Sequence, residues 1–484
     1  MLFNSLTTKI YFIGIGGIGM SGLAEILLKL GHKVYGSDLN KGDRVDKLIA
    51  QEVVFFNSHN GENISSIKPD VVVYTSAVDL KTNPEILCAL KNKIPVLSRA
   101  EMLAELMRFK RTIAVAGSHG KTTTTALTGN VFTHNKFDAT VVVGGVFQDT
   151  DSNVSVGAGK WLLAEADESD GSFLKYQPEI LVVTNIDKEH SSHYGDFDKL
   201  LDSFVKFIHK LPFYGTAILC SDCDNVFSLL PKLNRKVLTY GFNDQRKPDF
   251  LIQKKLATSG KIIYSIKSKC KYFTDKNIAV TIPGDHNISN AVASLVIGKI
   301  IGLDLDLSLK SLVEFKGVKR RFEFKGSLSN AVPIIEDYAH HPTEIKAVIQ
   351  ASLDQYGSSN KPLVIFQPHR HSRSRELWSE FSKCFTGASK VFILPTYIAS
   401  EKYQDWFQSF SSVPMCENIN TFVPSVYCQD FEVLLLELKK GMKEFNQGPI
   451  LFLGAGDINK LIPMLFSELK NNPIKNDCSQ IHSN

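Results

Sequence analysis

Short apolar runs recur along the chain, and most of them end in glycine or in charged residues. Ile10–Ile13 leads into glycines and then into a helical pattern from Met20 to Leu30, and Lys33–Ser37 and Asp70–Thr75 read as further strands. This first block closes near Met107. A second opens at Arg111–Ala116 with the same succession of strand, glycine turn and helix. Lys160–Ala164 and Ile180–Asn185 are two more strands, each ending in charged or polar residues. A more β-like stretch runs from Thr216 to Ile282, and a long apolar helix is expected from Ser289 to Ile301. The third block follows Arg320-Arg321-Phe322, with strands at Ile334–Asp337, Leu363–Phe366, Val391–Leu394 and Ile450–Leu453. Strands that alternate with helices predict parallel sheets with right-handed crossovers. The fold class is therefore expected to be α/β, in three domains at residues 1–107, 108–322 and 323–484. The polar tail from Asn471 reads as frayed. In open α/β sheets ligands gather beyond the carboxyl ends of the strands, which makes residues there the candidates for chemistry.

Composition narrows the picture without deciding it. A chain of 484 residues is too long for one ordinary domain, and 43% apolar with 22% charged content leaves material for several cores. The net charge of +5 is mild. It does not call for nucleic acid, and it suits phosphate-bearing small substrates. No run is apolar enough to span a bilayer; the best, Asn290 to Leu303, is short and carries Lys299. The first apolar run leads into the fold and does not read as a secretory leader. Among eight scattered cysteines only Cys220 and Cys223 are close, and no second pair completes a metal site. Reduced thiols in a cytoplasmic protein are expected, with no membrane partner and an oligomeric state that the sequence leaves open.

Two glycine loops follow strands and open helices. The first, Gly14-Ile-Gly16-Gly17-Ile-Gly19, fits G-x-G-x-x-G, in which glycines allow close backbone approach and the helix start offers N–H groups to a diphosphate. Asp38 lies about twenty residues on, where a ribose-binding acid would stand. Alone, this loop fits a nicotinamide dinucleotide, another nucleotide diphosphate such as UDP, or a purely structural turn. The second, Gly117-Ser118-His119-Gly120-Lys121-Thr122, ends as a phosphate loop does. Its backbone would cradle phosphates, Lys121 would meet the β- and γ-oxygens, and Thr122 would hold Mg²⁺. It departs from G-x-x-x-x-G-K-T, since Val115 stands where the first glycine belongs.

Acids cluster at the next strand ends. Glu165-Ala-Asp167-Glu168-Ser-Asp170 follows one strand, placed to hold Mg²⁺ or simply to be solvated; Asn185-Ile-Asp187-Lys-Glu189-His190 closes another, where His190 reads as a metal ligand or as structural. Asn287 and Asn290 open a helix and could read an adenine edge or cap the helix. In the third block, Glu336-Asp337-Tyr338-Ala-His340-His341 and Gln367-Pro368-His369-Arg370-His371-Ser-Arg373 end two strands. Arginine forks there suit carboxylate and phosphate, the alternative being a surface charge patch.

Taken in order, GIGGIGM, SRAEMLAELM, AGSHGKTTTTA, AEADESDGSFL, TNIDKEH, PGDHNISNA, DYAHHPTE and FQPHRHSR resemble the Mur ligases from Ile13 to about Asp457. The short loop G-S-H-G-K-T is the form that family uses. The resemblance implies a Rossmann-like UDP-binding domain, a central P-loop ATPase-like domain and a C-terminal Rossmann-like domain. It implies ATP and Mg²⁺ as cofactors, and UDP-N-acetylmuramate and L-alanine as small-molecule substrates, joined through an acyl phosphate in the cytoplasmic part of peptidoglycan synthesis. Carried over by motif, Gly14, Gly16, Gly17, Gly19, Asp38 and Ser76 would bind the sugar nucleotide. Gly117, Ser118, His119, Gly120, Lys121, Thr122 and Thr123 would hold ATP phosphates, with Asn287 and Asn290 near adenine and Asp337 near ribose. Thr122, Glu165 and His190 would bind or support Mg²⁺, while His341, Arg370 and Arg373 would face the amino acid and the reacting phosphate. Lys121, His341 and Arg370 are the expected catalytic residues. Glu189 stands where the family often has Asp. Three other readings stay open: a recycling ligase of the same family that takes a whole tripeptide, a nicotinamide oxidoreductase, and a nucleotide-binding regulator without catalysis.

Overall fold

The computed structural model describes residues 7–75, 77–147, 152–189, 194–256, 262–269, 275–328, 332–399, 401–444 and 448–471. Continuous apolar strands without inside–outside alternation are buried on both faces, which is what parallel sheets covered by helices require. Among the described residues three sheets form, mainly parallel, with antiparallel strands at the ends of the second and third.

The first has five parallel strands in the spatial order Val54–Phe56, Lys33–Ser37, Lys9–Ile13, Val71–Tyr74, Val96–Ser98. Along Lys9–Ile13 the side chains divide between two cores: Ile10 and Phe12 join the larger one, Tyr11 and Ile13 the smaller. The second sheet has ten strands. Phe250–Leu256, Lys236–Gly241, Thr216–Cys220, Ile180–Val183, Arg111–Ala116, Trp161–Glu165 and Ala139–Val142 are neighbours in that order and run parallel. Antiparallel strands extend it at both ends, Ile262–Ser268 and Lys276–Ile278 at one, Val154–Ser155 at the other. The third sheet orders Glu323–Ser327, Pro333–Asp337, Ile450–Leu453, Leu363–Phe366, Lys390–Ile393 and Ser425–Tyr427, antiparallel only in its first pair. The α/β class is as expected.

The chain divides into two compact units. One contains the first two sheets, within Met1–Thr281 plus Ile288–Lys316; the other comprises Ile282–Asn287 and Gly317 onward, with the third sheet. Two helices begin earlier than the apolar pattern indicates. The first runs Ile18–Lys29 because Gly17, in extended conformation, serves as its N-cap, so Gly19 and Gly22 fall inside it. The long helix runs Asp285–Ile300, its first turn being the polar stretch ahead of the apolar run.

Within the first unit the helix Ile18–Lys29 meets the edge strand Val154–Ser155. Asn153 Nδ2 donates to Ile18 O at 2.9 Å, and a methyl at Gly22 would lie 2.4 Å from Val154 Cγ2. Lys175 and Glu101 add an ion pair at 2.9 Å between the same two sheets' surroundings. Among the described residues no helix is long and apolar enough to cross a membrane. Gly22→Ala should therefore destabilise by about 1–3 kcal/mol through overpacking, against the gain of up to about 1 kcal/mol that Ala gives an open helix site. A lowered thermal midpoint checks this; a raised one contradicts the packing.

Candidate active site

The second glycine loop joins strand Arg111–Ala116 to helix Lys121–His134. Gly117 and Gly120 adopt φ of +129° and +83°. A methyl at Gly117 would lie 2.2 Å from Thr184 Oγ1, so close approach also demands glycine there. The neighbouring strand pins the loop. Thr184 Oγ1 and Asn185 Nδ2 donate to His119 O at 2.6 and 3.0 Å, Asn185 Oδ1 accepts His119 N–H at 2.9 Å, and Ser118 Oγ accepts the Asp187 N–H at 2.9 Å. His119 Nε2 lies 3.2 Å from Asp187 Oδ2. Lys121 Nζ donates to Gly117 O at 2.6 Å and to fully buried Glu168 at 2.8 Å. Burial alone would lower the Lys121 pKa; Glu168 and Asp167 outweigh it and hold it above the ordinary value.

Thr122 and Thr123 are buried in the first turn of that helix. Thr122 Oγ1 donates to Glu165 Oε2 at 3.2 Å, while Glu165 Oε1 accepts the Gly144 N–H at 2.6 Å. A hydroxyl and a carboxylate side by side next to this loop form an oxygen donor set of the kind Mg²⁺ takes. Asn290 lies against the loop: a methyl at Gly120 would come within 2.8 Å of its Oδ1. Asn287 belongs to the other unit and donates to Pro283 O at 2.6 Å. His190 and Ser76 lie outside the described residues.

The first glycine loop opens helix Ile18–Lys29. Gly14 has φ +80°, and a methyl there would come 2.5 Å from Thr75 Cγ2. Asp38 accepts the Gly16 N–H at 2.9 Å and the Asn40 N–H at 3.1 Å, so its carboxylate braces the loop. Gly17 caps the helix, and the Arg99 side chain lies within 3.0–3.3 Å of where a Cβ at Gly19 would be. Sequence reasoning gave Arg99 no role, because an arginine at a helix start after a short strand carries no signal of its own.

In the second unit Asp337 accepts the Phe322 and Ala339 N–H groups, each at 2.7 Å; burial pushes its pKa up to about 6 even so. His341 caps helix Pro342–Tyr356: its Nδ1 accepts the Thr343 N–H at 3.3 Å, which in the neutral ring leaves the proton on Nε2, and Glu344 Oε2 accepts the His341 N–H at 3.3 Å. Arg370 is exposed, with φ +70°. Arg373 Nη1 lies 3.1 Å from His369 O and 3.2 Å from His369 Nδ1. Burial and then Arg373 push His369 down to about 3, so that ring is neutral.

Models of the Mur ligase family catalytic domain, the Mur ligase middle domain and the Mur ligase glutamate ligase domain match residues 9–111, 115–298 and 320–439 in turn. The chain is 41% identical over 457 residues to the UDP-N-acetylmuramate–L-alanine ligase of Desulfatibacillum aliphaticivorans, covering 94% of this chain and 97% of that protein. The chain belongs to the Mur ligase family. A UDP-N-acetylmuramate–L-alanine ligase from Myxococcus xanthus is 39% identical to this Mur ligase, with 97% of each chain covered. The crystal structure of UDP-N-acetylmuramate–alanine ligase from Thermotoga maritima matches it with a TM-score of 0.75 at 27% identity, over 96% of this chain and 99% of that one. A murein peptide ligase from Psychrobacter arcticus matches with a TM-score of 0.66 at 20% identity, over 96% and 99%, a likeness of fold.

Glu168 was legible only as one acid in a run; its burial against Lys121 selects it. If that pairing holds the lysine protonated, Glu168→Gln in this Mur ligase should speed acylation of Lys121 by an amine reagent at mildly alkaline pH by about tenfold or more. Peptide mass spectrometry reads this, and an unchanged rate contradicts the pairing.

Proposed function

We propose that this Mur ligase joins L-alanine to UDP-N-acetylmuramate while ATP is cleaved to ADP and phosphate, a step of peptidoglycan synthesis in the cytoplasm. The observation that carries the reading is the pair of glycine loops within one unit, each set between a strand end and a helix start. Two nucleotides, one on the acceptor and one supplying phosphate, account for both; a dehydrogenase has no use for the second loop. The cysteines described are all free thiols, in keeping with a reducing compartment. The relatives at about 40% identity carry the name of the L-alanine enzyme, which favours it over the peptide-recycling ligase.

A carboxylate does not condense with an amine in water because its leaving group is poor. In the proposed reaction an oxygen of the lactyl carboxylate attacks the γ-phosphorus of ATP in line, expelling ADP and forming an acyl phosphate. The amine of L-alanine then attacks the acyl carbon, and the tetrahedral intermediate expels phosphate as the amide forms. Backbone N–H groups from Gly117 to Thr123 and the Lys121 ammonium would meet the β- and γ-phosphate oxygens, which gain charge in the transition state. Thr122 and Glu165 would hold Mg²⁺, which supplies charge neutralisation at those oxygens when bound. The sugar nucleotide's diphosphate would lie at Gly14–Gly19 with Arg99 beside it. Arg370 and Arg373 are assigned to the transferring phosphoryl and the amino acid's carboxylate, and His341 to orienting the amine.

Phosphate release from ATP tests the reading: sustained release requires UDP-N-acetylmuramate and L-alanine together, and release indifferent to either would overturn it. Lys121→Ala should abolish ADP formation with UDP-N-acetylmuramate binding intact, as calorimetry would show; joint loss of both would count against separate nucleotide sites. Arg373→Ala should raise the KM for L-alanine more than that for ATP, the reverse pattern removing it from the assigned place.

A further inference from the structure

The helix His371–Glu376 carries Arg373, and Arg370 stands immediately before it. The inference here rests on the assignment of both arginines to the amino acid and the reacting phosphate. Arg370 is not glycine, yet its φ is +70°, in the left-handed region that β-carbons disfavour. Strain of this kind persists only where the surroundings over-determine it. The surroundings are a segment further along the chain. The Arg370 N–H donates to Tyr397 O at 2.9 Å, the Tyr397 N–H returns to Pro368 O at 2.8 Å, and the Tyr397 ring stacks on His369 at 5.5 Å.

The segment then meets the helix start itself. Glu401 Oε2 accepts the His371 N–H at 2.7 Å, and Oε1 accepts the Ser372 N–H at 3.1 Å together with the Ser372 hydroxyl. These N–H groups lie in the first turn, where no carbonyl of the helix can reach them. Phe407 stacks on the buried His371 ring at 4.3 Å, and Arg375 lies over Trp406 at 4.1 Å. The carboxylate is thus spent on the turn that joins Arg370 to Arg373.

We propose that Glu401 is a positioning residue for the ligation: by holding the His371–Ser372 turn it fixes where Arg370 and Arg373 sit, and so sets the enzyme's affinity for the carboxylate of its amino-acid substrate. Nothing in the sequence singles Glu401 out, since it lies about thirty residues beyond the motif it serves.

The test compares full-length wild type, Glu401→Ala and Glu401→Gln, each also in an Arg373→Ala background. Glu401→Ala should raise the KM for L-alanine about tenfold or more, with the KM for ATP and for UDP-N-acetylmuramate changed less than about twofold. Glu401→Gln, which keeps one acceptor oxygen, should fall between, and it carries the test if the alanine variant does not fold. In the Arg373→Ala background the Glu401 substitutions should add little, because residues that act through one another are not additive. The inference is overturned if the L-alanine KM stays at the wild-type value, if all three KM values rise together, or if the two substitutions multiply independently. An active wild type with unaltered Glu401 variants overturns this inference alone; a wild type inactive with L-alanine overturns the proposed reaction and this inference with it.

Discussion

The loop Gly117–Gly120 keeps its shape because the neighbouring strand end supplies the partners for its backbone: Thr184 and Asn185 take the His119 carbonyl, and Asn185 takes the His119 N–H. A loop of positive-φ glycines has no such preference by itself, since glycine gains little from any one conformation. Parallel pairing of Arg111–Ala116 with Ile180–Val183 sets the two strand ends in register, Ala116 opposite Val183, so the pins arrive at the right height. The buried charge at the centre follows the same logic. Breaking a buried ion pair costs about 3–5 kcal/mol when one partner is removed, and Lys121 sits against fully buried Glu168. A lysine held this way stays cationic, as the proposed contact with phosphate oxygens requires.

Much of this was legible in the residues. Apolar strands that run into glycine, acid or other polar residues marked the ends of Lys9–Ile13, Arg111–Ala116, Trp161–Glu165 and Ile180–Val183, where the candidate site residues lie. Three kinds of fact were not legible. The apolar pattern alone places two helix starts late, because the helices Ile18–Lys29 and Asp285–Ile300 begin ahead of their apolar runs. Side chains with two possible partners resolved only in space: Asp38 spends an oxygen on the Gly16 N–H, and Asn290 rests on Gly120 while Asn287 bonds to Pro283. Residues that support others from a distance in sequence, Arg99 beside Gly19 and Glu401 beneath His371, carry no local pattern at all.

The two glycine loops differ in how they are braced, and the difference fits two kinds of phosphate. The first is held by a carboxylate, Asp38, on Gly16, with Arg99 over Gly19. The backbone of the second is held by Thr184 and Asn185, while its side chains meet carboxylates, His119 beside Asp187 and Lys121 on Glu168. A diphosphate that is only carried needs a seat. A γ-phosphoryl that is transferred needs donors aimed where charge develops, which is where preorganised electrostatics has its largest effect.

In the proposed reaction the sugar acid's own oxygen takes the phosphoryl group before the amide forms. Turnover with UDP-N-acetylmuramate labelled with ¹⁸O in the lactyl carboxylate tests it directly, with mass spectrometry of the inorganic phosphate. One labelled oxygen is expected in each phosphate released. Phosphate free of label, from turnover that still yields the alanyl product, would contradict it.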